Sequence, residues 1–133
     1  MHLTSDLILF GEQHSSTADS YHSLGTTQHA QGDFSLALHC KKCALDSRLK
    51  LFGEEHAGTA DSYHSLGDTQ HALGDFTSAI YSKQRALDIR LKLFGEEHPS
   101  VAESSSDLAI MRKAQCEDPL ARHSARHALD VFE

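Results

Sequence analysis

The sequence predicts an all-α solenoid of antiparallel helix pairs, and three observations carry that prediction. Leu9-Phe10-Gly11-Glu12 recurs as Leu51-Phe52-Gly53-Glu54 and again as Leu93-Phe94-Gly95-Glu96. The first two copies agree at about 29 of roughly 42 positions without a gap. Inside each copy the apolar residues follow helical spacing, and glycines with cap-forming serines and aspartates punctuate them at fixed places. A period of this length filled with helical patterns implies stacked hairpins, each burying its apolar face against its neighbours and presenting an extended surface.

One array is expected over residues 1–133. Residues 1–15 read as the end of a preceding second helix and its linker, because Leu3, Leu7 and Leu9 occupy the register of Leu45, Leu49 and Leu51. Residues 16–57 form the first copy, 58–99 the second and 100–133 a diverged third, which keeps register through Ala37, Ala79 and Ala121. The first helix of copy one is expected to start near Ser16-Thr17, with Ser16 and Asp19 as a capping box, and to stop at Gly32. Asp33 then caps a second helix running from about Phe34 to Leu51, ended by Gly53. Gly74-Asp75 repeats the turn, and Ser100 with Glu103 repeats the capping box. Phe34, Ala37, Leu38, Ala44, Leu45, Leu49 and Phe52 fall on one stripe, matched by Tyr21, Leu24 and Gly25 on the first helix. Ser105, Cys116 and Asp118 replace the tyrosine, turn glycine and turn aromatic in copy three, so its hairpin is expected to be the least stable part.

Composition narrows the class. With 39% apolar residues, 133 residues bury a core, though a thin one. Nineteen acidic against 12 basic residues disfavour nucleic acid and anionic membranes and suit basic or neutral peptides. Met1 to Gly11 carries no basic leader, and no apolar run approaches about 20 residues, so a cytoplasmic location is expected. Three cysteines fit a reducing compartment better than a disulfide scaffold.

Tyr21, Leu24-Gly25, Gly32-Asp33-Phe34, Ala37 and Ala44-Leu45, matched in copy two by Tyr63, Leu66-Gly67, Gly74-Asp75-Phe76, Ala79 and Ala86-Leu87, resemble the tetratricopeptide repeat. The resemblance covers nearly the whole chain and implies a right-handed superhelix with a concave ligand-binding groove. The long period and the joining segment from Arg90 to Ala102 look like the subtype of kinesin light chains and nephrocystin-like proteins. Chaperone-binding members clamp a terminal carboxylate with basic residues and asparagines, which the first two copies lack. The paired asparagines of kinesin light chains are replaced by His22-Ser23 and His64-Ser65.

Asp19, His22, Thr26 and His29 lie about 120° around the first helix from its apolar stripe, on the face that the resemblance assigns to the groove. Asp61, His64, Asp68 and His71 repeat the set, and Glu103, Ser106, Ile110 and Lys113 follow in copy three. Asp-His pairs three residues apart are expected to favour imidazolium, and 11 histidines would carry the formal charge from −7 toward about +4 in mild acid. Gln28 with Lys41, and Gln70 with Lys83, stand where the family usually packs aromatics. Lys41 is read either as snorkelling to an edge or as half-buried in a hydrogen bond with Gln28.

His123 with His127 and the Cys40-x-x-Cys43 pair are weak metal candidates, because neither completes a ligand set and copy two replaces the cysteines by Ser82 and Arg85. No glycine-rich phosphate loop, nucleophile elbow or HExxH sequence occurs. The expected function is therefore a scaffold without catalysis, metal or cofactor that binds a protein or peptide in the groove. The alternative is end-to-end self-assembly through Leu3, Leu7 and Ile8.

Overall fold

The computed structural model describes residues 14–117. Five helices follow one another, α1 Ser15–Ala30, α2 Phe34–Phe52, α3 Ala57–Ala72, α4 Phe76–Phe94 and α5 Pro99–Glu117, and no strand occurs among the described residues. Helices α1 and α2 pack as one hairpin and α3 and α4 as the next, with α2 against α3 and α4 against α5 joining the pairs. Helix α1 also touches α3, so the first helices of successive pairs lie along one side of the stack. The fold is the all-α helical-repeat solenoid that the period requires.

Short side chains set the spacing. Ala18, Ala37, Ala44, Ala60, Ala79 and Ala86 are completely buried, which lets neighbouring backbones approach closely. Leu45, Leu66, Ile89, Val101, Leu108 and Met111 fill the layers between them. Phe52 departs from its expected place on the buried stripe. It is 40% exposed and stacks at 4.1 Å on His56, and Phe94 stacks on His98 at 4.4 Å.

The linker histidines, not the expected capping boxes, start the first helices. The Nδ1 of His14 accepts from the Ser16 amide at 3.0 Å, His56 from Gly58 at 2.9 Å and His98 from Ser100 at 3.1 Å. Each ring satisfies an amide that the first turn leaves without an intrahelical partner. The chain thus uses Phe-Gly-Glu-x-His as one unit, in which the aromatic ending a second helix holds the histidine that caps the next helix. Gly53 and Gly95 break the chain between them at φ +80° and +82°, where a side chain would be strained. Of the two turn aspartates, Asp75 accepts from the Ser78 amide at 3.2 Å, whereas the Asp33 side chain makes no capping bond. Residues 1–13 and 118–133, including Leu3, Leu7, Ile8, His123 and His127, lie outside the described residues.

Candidate partner-binding groove

Two long cations cross beneath the helix faces that carry the predicted site residues. Arg48 of α2 sends one guanidinium nitrogen to the Gly58 carbonyl at 3.1 Å and Ser62 Oγ at 2.9 Å, and the other to Asp19 Oδ1 at 3.0 Å. Arg90 of α4 repeats the arrangement with Ser104 at 2.7 Å and Asp61 at 2.9 Å. Each arginine therefore ties its own hairpin to the next one. Asp19 and Asp61 keep side-chain exposures of 71% and 59%, while Arg48 and Arg90 keep 10% and 7%. Carboxylate oxygens face outward, and the charges that hold them lie below.

The lysines work in the same layer. Neither expectation for Lys41 holds, because it is 3% exposed and its Nζ donates to the Ser65 carbonyl at 3.0 Å, across the boundary to α3. The Gln28 side chain lies beside the buried thiol of Cys40, one position earlier, and its Oε1 is buried without a hydrogen-bond partner. In copy two the corresponding Gln70 accepts from Ser82 Oγ at 2.6 Å. The geometric reason is a slot over the small residue of the first helix. A Cβ on Gly25 would lie 2.8 Å from Lys41 Cγ, and one on Gly67 would lie 3.0 to 3.2 Å from three carbons of Lys83. The Lys41 stem runs through this slot to Ser65 of the next repeat, and the Lys83 stem to Asp68 of its own repeat and Asp107 of the next.

Lys83 ends in a denser site. It is fully buried, and its Nζ lies 2.6 Å from Asp68 Oδ1, 3.4 Å from Asp107 Oδ2, and 3.3 and 3.4 Å from the two nitrogens of His64. The Nε2 of His64 is 3.6 Å from Glu103 and 3.5 Å from Asp107. Three helices thus bring His64, Asp68, Lys83, Glu103 and Asp107 together. Asp107 was not among the expected groove residues. It occupies the register of Ser65, so only the third copy supplies a carboxylate there.

The remaining predicted residues are partly spent on structure. Thr26 donates to the His22 carbonyl of its own helix at 3.0 Å. His29 shares a 2.9 Å hydrogen bond with the buried Thr69 hydroxyl and meets Phe34 edge-on at 5.0 Å, and His71 meets Phe76 at 5.1 Å. The expected preference for imidazolium is reversed at His22 and His64, and His29 shifts the same way. Burial pushes each below the ordinary histidine range, helped by Arg48 at His22, by Lys41 at His29 and by Lys83 at His64. The nearby aspartates oppose this and lose to desolvation and the buried cations.

Burial pushes the Cys40 thiol up, away from thiolate, while Cys43 lies 3.8 Å from His39. A separate cavity of about 560 Å³ is lined by Glu54, Glu55, Arg85, Asp88, Lys92 and Glu96 among others, with both bases paired to Glu54 and Glu55.

A tetratricopeptide repeat family model matches residues 37–92 and 72–133, well over half of the sequence. The chain belongs to the tetratricopeptide repeat family. Its members are generally interaction modules without catalysis. No curated protein matches the sequence. Among solved structures, BtubC (BKLC) from P. vanneervenii is similar at a TM-score of 0.80 and 23% identity. The match covers 98% of this chain and 52% of that one, so this chain spans about half the length of BtubC, and the likeness is one of fold. No described helix of this tetratricopeptide array is long and apolar enough to cross a membrane.

Proposed function

We propose that the chain is a non-catalytic scaffold that binds a basic or neutral peptide, or a partner helix, along the groove-side faces of α1, α3 and α5. The supporting observation is the layering of charge. Asp19, Asp61 and Asp68 are about half exposed or more, whereas Arg48, Arg90 and Lys83 beneath them are nearly or fully buried. A ligand therefore meets a polar wall already held in place, which lowers the ordering cost of binding. His22, His64 and His71 stand between the carboxylates, with the ordering of side chains repeated from one pair to the next. The kinesin light chain and nephrocystin-like subtype and a cytoplasmic location belong to the same reading.

The test is a random-peptide display selection on the full chain, counter-screened with His22→Ala, His64→Ala and His71→Ala combined. Peptides enriched on the parent and lost on the folded triple variant are the expected result. Equal enrichment on both proteins would move the binding surface elsewhere.

A further inference from the structure

We propose that the junction of the second and third repeats receives an arginine or lysine side chain of a peptide partner, seated on Glu103 and Asp107 beside His64. The proposal rests on the groove reading above and names the chemistry recognised there. Its first support is an internal comparison. Asp19, Asp61 and Glu103 share one register, 42 residues apart. The structure shows a guanidinium on the first two, at 3.0 and 2.9 Å. Among the described residues the sole charge partner of Glu103 is His64, and the register position after Arg48 and Arg90 is Phe132, which brings no cation. Among the described residues, a position that binds a guanidinium twice meets none at its third occurrence.

Charge balance gives the second support. Asp68 and Asp107 share one lysine, whose shortest contact, 2.6 Å, is to Asp68, and Glu103 meets His64 instead. Around His64 stand Asp68 on its own helix, Lys83 and Arg90 from α4, and Glu103 and Asp107 from α5, with Arg90 already committed to Asp61 and Ser104. Burial and Lys83 keep His64 below the ordinary histidine range, so it adds little positive charge at neutral pH. The carboxylates of Glu103 and Asp107 are 61% and 33% exposed, whereas Lys83 is fully buried. The open side of the site is acidic.

The geometry selects a side-chain cation over a metal ion. Ligand atoms of His64, Glu103 and Asp107 lie within 4.8 Å of one another, yet the Lys83 ammonium sits 3.3 to 3.4 Å from both His64 nitrogens and 3.4 Å from Asp107. A divalent ion would meet that resident charge at close range. A guanidinium or ammonium arriving from the groove needs only the outward oxygens, and an arginine fork fits two neighbouring carboxylates.

The experiment selects random peptides on the full chain and on Glu103→Gln, which leaves the Lys83 contacts in place. The best parent-selected peptide is then titrated by fluorescence anisotropy with its basic residue intact or as citrulline or norleucine. The expected result is a fixed basic position in parent-selected peptides, absent from the Glu103→Gln pool. About fivefold weaker binding is expected for either single change, with little further loss when both are combined. Parent-selected peptides without a fixed basic position would overturn the proposal while leaving the groove reading intact, as would additive losses. Failure of both proteins to enrich anything would overturn both readings.

Discussion

Lys41 and Lys83 occupy the same register and thread the same slot, yet their ammonium groups end in different company. Lys41 reaches only the Ser65 carbonyl, and burial lowers its pKa from the ordinary lysine value. Lys83 reaches Asp68, Asp107 and His64. Replacing a buried ion that lacks a close carboxylate by an apolar chain of similar length removes desolvation without orphaning a partner. Lys41→Met is therefore expected to stabilise the fold by about 1 kcal/mol. Lys83→Met strips Asp68 and Asp107 of their shared cation and is expected to cost about 2 kcal/mol. Urea denaturation of both variants is the check, and shifts of the same sign would refute the assignment. The repetition of Lys and Gln was legible in the sequence. Their partners were not, because the choice between position 40 and position 41 as the neighbour of Gln28 depends on how α1 and α2 are rotated about their axes.

The pairing of helices rests on equally local features. Gly67 sits in the middle of α3, where alanine ordinarily gains about 1 kcal/mol of helix propensity. Here a Cβ would lie 3.0, 3.1 and 3.2 Å from successive carbons of Lys83, whose head is fixed by Asp68 and whose stem has no exposed side to move toward. Gly67→Ala is expected to lower stability by about 1 to 2 kcal/mol, through overpacking. The same change in a Lys83→Ala background should become neutral or stabilising. Thermal melts of the four proteins would test this, and a stabilising Gly67→Ala with Lys83 present would contradict the slot. The helix boundaries themselves were close to legible, since Gly32, Gly53 and Gly74 stop helices as their residue type suggests. The caps were read wrongly at Ser16 and Ser100, because the histidines that perform that task two residues earlier are uncommon caps, and at His98 the imidazole also stacks on the Phe94 ring.

Across the molecule, the half-buried histidines set a pH dependence of stability. His22, His29 and His64 all have folded pKa values below the usual 6.5, so the unfolded chain binds protons more readily in mild acid. Their neutral forms contribute stability that is present above about pH 6.5 and lost as pH falls through the lowered values. The melting temperature is expected to decline from pH 7.5 to 5, less steeply in a His22→Phe and His64→Phe variant. A flat or rising profile for the parent would show that the aspartates outweigh burial. The sequence by itself determined the repeat register, the all-α class and the family, because these follow from spacings within one 42-residue unit and survive any detail of packing. The recurrence of aspartates and histidines along α1 and α3 was also legible. Only the tertiary structure decided that Arg48 and Arg90 clasp neighbouring repeats, that Lys83 gathers Asp68 and Asp107, and that burial wins over the adjacent carboxylates at the histidines. Those outcomes depend on the depth and angular offset of one helix pair against the next, and a list of residues along the chain does not contain that angle.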